Sequence, residues 1–216
     1  MTKLMKYKLI VFDFDGTLAD SFAFFVQATN TLAARYRFRP IADHEVESLR
    51  GLHARAMLRH LALPGWKLPW VARAFKRMMS RQADVVLFQG VEQALRELHL
   101  HGVRLALVTS NSYTNVCRVL GPRNMALLEY CHCDTGLFGK RARLRRILKN
   151  SGVAPHEAIC IGDEIRDGEA ARDVGMAFGA VAWGYTRIHA LAKDAPDAIF
   201  ADPADLAGQL TGVAYS

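Results

Sequence analysis

Long apolar runs are missing from this chain of 216 residues. No segment approaches the ~18 consecutive apolar residues that a membrane-spanning helix needs. The opening MTKLMKYKLIVFDFDG turns acidic before an apolar signal core or a small-residue cleavage site is complete, so a soluble, unexported protein is expected. Cysteine is scarce as well. Cys117, Cys131, Cys133 and Cys160 are too few to staple a chain of this size, and two of them fall in apolar runs that read as strands. Reduced, buried thiols and a cytoplasmic setting follow. Acidic residues are outnumbered, 21 Asp+Glu against 28 Lys+Arg, and the net charge of +7 favours anionic partners: phosphate esters, nucleic acid or anionic lipid. Internal repeats and low-complexity segments are absent. What remains, 51% hydrophobic and 23% charged residues, excludes a disordered chain or a fibre and suffices for an α/β core carrying a modest insertion.

The short β-branched run KLIVFDF, Lys8 to Phe14, ends in the turn signal Asp15-Gly16-Thr17 and reads as a buried strand. Helical patterns follow at Ser21–Tyr36, Asp43–Leu61 and Leu68–Ala83, separated by Arg39-Pro40 and Leu63-Pro64-Gly65. After Phe88-Gln89-Gly90 the texture alternates. Helices are expected at 91–101, 114–120, 141–151 and 167–174, and strands at 104–109, 127–133, 158–162 and 178–181. That alternation implies βαβ units and a largely parallel sheet, so a cationic helical block over residues 18–85 is inserted after the first strand of a core made of residues 1–17 and 86–216.

Ligand sites in such sheets lie beyond the carboxyl ends of the strands, where the charged and hydroxylic clusters of this chain fall. The period of two in a strand points Asp13 and Asp15 to the same side. Two carboxylates that close do not both stay ionised without a cation, which argues for Mg²⁺, a hard ion that takes oxygen ligands.

VFDFDGTLADS resembles the first motif of the haloacid-dehalogenase superfamily, and three further clusters agree with it in order and spacing. LALVTSNS ends the second core strand with Thr109, LFGKRARLRRIL places Lys140 at a helix start, and ICIGDEIRDGEAARDVGM carries Asp163 and Asp167. The resemblance implies a Rossmann-like parallel sheet of strand order 5-4-1-2-3 with a small helical cap at residues 18–85. It implies that Asp13 is a nucleophile forming an aspartyl-phosphate and that Asp15 is the acid and base. Thr109 and Lys140 would meet the phosphoryl group, and Gly16, Thr17, Ser110 and Asn111 would contact substrate. Asp13, Asp15 (through its backbone carbonyl), Asp163 and Asp167 would hold Mg²⁺, with Glu164 as an alternative ligand.

A cap of this kind resembles that of phosphoglycolate-phosphatase-like and phosphoglucomutase-like members and implies a small phosphorylated metabolite as partner, with phosphoglycolate the natural first candidate. Those members usually follow the lysine with proline, whereas Arg141 follows Lys140 here. Arg50, in LRGLHAR, is a candidate reader of an anionic leaving group and equally a helix-terminal residue before Gly51. Trp183-Gly184-Tyr185 either shapes the pocket rim or is a packed aromatic turn. In Cys131-His132-Cys133, alternation sets the histidine opposite both thiols and no fourth ligand is spaced for zinc. The leading expectation is a Mg²⁺-dependent phosphatase, acting as a monomer or homodimer without nucleic acid or membrane. The alternatives are a phosphosugar mutase of the same superfamily and a non-catalytic module binding anions or nucleic acid.

Overall fold

In the computed structural model the described residues are 6–50, 52, 54–79, 85–136 and 139–212. Among the described residues eight strands form: β1 Leu9–Phe12, β2 Ala19–Asp20, β3 Val86–Leu87, β4 Arg104–Val108, β5 Leu128–His132, β6 Ala158–Gly162, β7 Ala177–Val181 and β8 Ala198–Phe200. The first four helices are α1 Phe22–Tyr36, α2 Val46–Leu49, α3 Ala54–His60 and α4 Leu68–Met79, all between β2 and β3. The rest are α5 Val91–Leu100, α6 Tyr113–Met125, α7 Lys140–Ser151, α8 Ile165–Arg172, α9 Ile188–Ala192 and α10 Asp205–Thr211. No helix among the described residues is long and apolar enough to cross a membrane.

Six strands make one parallel sheet in the order β5-β4-β1-β6-β7-β8. From β7 to β5 this is the anticipated 5-4-1-2-3, and β8 adds a sixth strand at the far edge. Three residues of β8 carry too little periodicity to read from sequence. The four residues of β1, Leu-Ile-Val-Phe, are buried on both faces, as a central parallel strand requires. Alternation divides them between two cores. Ile10 and Phe12 join Leu105, Leu107, Ile159 and Ile161 on the side of α5 and α10, while Leu9 and Val11 join Ala106, Val108 and Cys160 on the side of α7 and α8. Asp13 continues the second set, which brings it out among the helices that carry Lys140 and Asp167.

Residues that the pattern reads as one helix, 43–61, form a short 3-10 turn at Asp43–Glu45 followed by α2 and α3. Helix α6 runs past Leu120 through a kink at Gly121 (φ 69°, ψ 166°) that accommodates Pro122. Helix α7 buries Leu144, Ile147 and Leu148 as one stripe and ends on Gly152 in the left-handed conformation. Strands β2 and β3 pair antiparallel as a small ribbon where the helical segment departs from and rejoins the core. A third apolar cluster around Ile41, Leu49 and Leu61 lies within that segment.

Candidate active site

The carboxyl ends of β1, β4 and β6 deliver the acids and hydroxyls that the motifs single out. Asp13, Asp163 and Asp167 are 5%, 0% and 0% exposed, and one carboxylate oxygen from each lies within 4.8 Å of the others. Lys140, the first residue of α7, reaches between two of them: Nζ is 3.0 Å from Asp13 Oδ1 and 2.5 Å from Asp167 Oδ1. Burial pushes the Asp13 carboxyl above the usual carboxylate range, with the Lys140 charge working against it. Burial would lower the Lys140 pKa, but the charges of Asp13 and Asp167 outweigh it and hold the ammonium charged well beyond the ordinary range. Asp163 is raised by burial and by the nearby charges of Glu164, Asp13 and Asp167.

Several contacts set Asp163. Thr17 Oγ1 donates to its Oδ1 at 2.9 Å and the Tyr185 amide to its Oδ2 at 2.8 Å. Gly16 (φ +79°) and Gly184 let backbone pass so close that a Cβ on either would lie 2.3 Å from Asp163 Oδ2 or 2.1 Å from Asp163 Cβ. Thus Gly16 and Thr17, expected on substrate, stand against Asp163. Asp167 receives the Glu164 amide at 3.2 Å, which also caps α8.

The Asp15 side chain lies outside the three-acid group. Ser21 Oγ donates to its Oδ1 at 2.9 Å, and Asn111 Nδ2 to Oδ1 and Oδ2 at 3.2 and 3.1 Å. Burial first and the Asp13 charge second push its carboxyl up to about 6, against those donors. Asn111 is therefore a side-chain partner of Asp15, and its backbone amide is turned to Thr109 Oγ1 at 3.0 Å. Thr109 accepts that bond and, having one hydroxyl proton of its own, is free to donate it elsewhere. Ser110 beside it is exposed. Thr135 secures the loop by donating to the Thr109 carbonyl through its amide at 3.1 Å and its hydroxyl at 2.8 Å.

Arg50 is brought to the core, to backbone. Its Nη2 donates to the Gly184 carbonyl at 2.6 Å and lies 3.4 Å from that of Trp183, and its guanidinium stacks on Phe22, 4.7 Å from the ring centre. In return the Arg187 amide donates to the Arg50 carbonyl at 2.7 Å. The 183–185 turn has two faces: Trp183 Nε1 donates to the Thr17 carbonyl, and Tyr185 bonds Ser21 Oγ through its hydroxyl at 2.8 Å while its ring packs on Phe22 and Phe25.

Sequence reasoning does not single out Ser21, Thr135 or the Glu164–Arg166 ion pair. Arg166 Nη2 donates to Glu164 Oε1 at 2.8 Å beside Asp167, and burial pushes Glu164 up to about 7 despite the arginine. The serine that follows VFDFDGTLAD was in plain view in the first motif. A profile described as haloacid dehalogenase-like hydrolase matches residues 10–181, the span that carries Asp13, Asp15, Thr109, Lys140, Asp163 and Asp167. The chain belongs to the haloacid dehalogenase-like hydrolases.

This hydrolase is 32% identical over 207 residues to phosphoglycolate phosphatase of Synechococcus elongatus, covering 94% of this chain and 96% of that one. It is 26% identical over 193 residues to N-acetylmuramic acid 6-phosphate phosphatase of Pseudomonas aeruginosa, covering 85% of each. A solved haloacid dehalogenase-like hydrolase from Streptococcus pneumoniae shares the fold with a TM-score of 0.80 at 19% identity, covering 94% of this chain and 98% of that one.

Proposed function

We propose that the protein is a Mg²⁺-dependent phosphatase that hydrolyses a small phosphomonoester of the phosphoglycolate type through an aspartyl-phosphate on Asp13. The observation that carries this reading is the buried group of Asp13, Asp163 and Asp167 with Lys140 between two of its members, beside Asp15 and Thr109. Similarity over nearly the whole chain to a phosphoglycolate phosphatase supports the substrate class. The donor set fits a hard cation: three carboxylates converge and, among the described residues, neither thiol nor imidazole joins them. Asp13, Asp163 and Asp167 would hold the ion, with the Asp15 carbonyl as a further oxygen, and the bound ion would supply charge neutralisation for the phosphoryl group.

The chain's own residues divide the remaining work. A phosphomonoester dianion repels nucleophiles, so positioning and charge compensation dominate the barrier. Asp13 attacks phosphorus with one oxygen, and Lys140 holds it ionised and offsets charge on the transferring group. Thr109 donates its hydroxyl proton to a phosphoryl oxygen. Asp15, raised towards neutral pH, gives a proton to the leaving alkoxide and then accepts one from the water that cleaves the aspartyl-phosphate. Residues 18–85, which carry the helices α1 to α4, serve as a cap that excludes water, and Arg50 ties that cap to the 183–184 carbonyls. We place this activity in the cytoplasm, in a monomer or homodimer.

Phosphate release from an aryl phosphate, with and without Mg²⁺ and beside Asp13→Asn, tests the reading. Metal-dependent turnover lost in Asp13→Asn is expected, followed by selectivity for small carboxylated or sugar phosphates across an ester panel. No phosphate release from any ester would overturn it, and phosphoryl transfer between positions of a sugar phosphate would point to a mutase instead.

A further inference from the structure

Away from the acid cluster, thiols gather at the end of β5. Cys131 and Cys133 are two residues apart, so extended backbone turns both sulfurs to one face, where they pack against the apolar core that includes Val116 and Leu120 of α6. The sulfurs are 3.5 Å apart. Both residues are half-buried on an edge strand, within reach of a small solute, whereas Cys160 is enclosed in central β6. Cys117 and Tyr113 of α6 lie nearby, and Cys117 pushes the Tyr113 hydroxyl above its ordinary range.

We propose that Cys131 and Cys133 form a peroxide-sensitive dithiol switch, whose oxidation to a disulfide loosens the loop that carries Thr109 and Asn111. The first step is attack of the Cys131 sulfur on one oxygen of hydrogen peroxide. The O–O bond breaks, the sulfur becomes a sulfenic acid, and the departing hydroxide leaves as water with the thiol proton. The Cys133 sulfur then attacks the Cys131 sulfur, the S–O bond breaks, and a second water leaves with the Cys133 proton. Two thiols lose two electrons in all and one peroxide becomes two waters. Cys131 is the attacking group because the contact with the Cys133 sulfur, 3.5 Å away, holds its thiol below the usual range, while Cys133 is pushed up by the same contact.

The coupling to the loop is geometric. A disulfide needs its sulfurs at about 2.05 Å, so the 131–133 segment must contract from the 3.5 Å separation. The next two residues are those that back the loop. The Asp134 amide donates to the Asn111 carbonyl at 2.8 Å, and Thr135 donates twice to the Thr109 carbonyl. Asp134 is already in the left-handed region at φ 55°, which leaves that turn little freedom to absorb the pull. The bond and the loosening stand on this geometry alone. Only their effect on turnover rests on the function proposed above.

The test uses the full chain, reduced, then treated with hydrogen peroxide and alkylated before mass spectrometry. A loss of about two mass units is expected, with label excluded from Cys131 and Cys133 and retained at Cys117. Amide exchange at Asp134 and Thr135 should quicken at least ~10-fold and return to its starting rate with dithiothreitol. Cys133→Ser should show neither the mass loss nor the faster exchange. The proposal is overturned if both cysteines still take label after peroxide, if the bond joins Cys117, or if the bond forms and exchange at 134–135 is unchanged. Bond and exchange change present in a protein that releases no phosphate would sink the phosphatase reading and leave the switch standing.

Discussion

Lys140→Met removes the charge between Asp13 and Asp167 and keeps most of the side-chain volume. The side chain is 12% exposed and its ammonium lies within 3.0 Å of both carboxylates, so its loss leaves buried negative charge without compensation. Removing one partner from a buried ion pair costs about 3–5 kcal/mol. At ~2–4 °C per kcal/mol for a chain of this length, the metal-free variant should melt roughly 6–20 °C below the parent. The pH dependence has a definite sign. Asp13 is already raised by burial with the lysine present and rises further without it. The penalty therefore grows as pH climbs through the folded value and shrinks in acid, where Asp13 carries a proton in both states. Lys140 itself is raised above the ordinary lysine value, so its contribution is complete below that value and is lost only in strong alkali. Thermal melts in chelator-treated buffer at pH 5 and pH 8 should thus show the larger gap at pH 8. A gap under about 2 °C at pH 8, or one that widens in acid, would refute the view that Lys140 compensates buried carboxylates.

Three other outcomes follow from the same contacts. With Asp15 pushed up to about 6, its proton is present below that pH and lost above it. kcat/KM for an alkyl phosphate should fall about tenfold per pH unit above ~6, while an aryl phosphate, whose leaving group needs no proton, should stay nearly flat; equal slopes in a pH–rate comparison would contradict the assignment. Ser21→Ala takes a donor from Asp15 and leaves the Tyr185 hydroxyl without its partner, so a loss of about 1–3 kcal/mol is expected in chemical denaturation, where a change below ~0.5 kcal/mol would be inconsistent. Gly184→Ala sets a methyl 2.1 Å from Asp163 Cβ and 2.7 Å from the Gly16 carbonyl, and should cost about 1–3 kcal/mol and weaken Mg²⁺ binding by calorimetry; parental affinity would show that Asp163 does not depend on this close approach.

The core was legible because a parallel sheet writes itself locally. Leu9 to Phe12 is a continuous apolar run, and the candidate acids, threonine and lysine stand at or near element ends, where turn and cap residues mark the boundary. Contacts between distant segments were not legible. Ser21 and Tyr185 are 164 positions apart, and no local pattern announces that one supports Asp15 through the other. Arg50 reads as a ligand for an anion because composition cannot show two carbonyls awaiting it, and Asn111 reads as a substrate contact because nothing local shows that its side chain bonds Asp15. Helices α9 and α10 and strand β8 are short, and their amphipathic signal is correspondingly weak.

The β2–β3 ribbon has a consequence for how this architecture tolerates change. Because the chain leaves and re-enters the sheet domain through two hydrogen-bonded neighbours, Ala19 opposite Leu87 and Asp20 opposite Val86, the two cut points lie side by side. Much of what lies between them can be lengthened or shortened without moving a strand of the main sheet, provided that Ser21 keeps its bond to Asp15 and that Phe22, Phe25 and Arg50 keep their contacts with the 183–185 turn. The ribbon is in that sense a socket, and Ser21 beside it is the point at which a change above would reach Asp15.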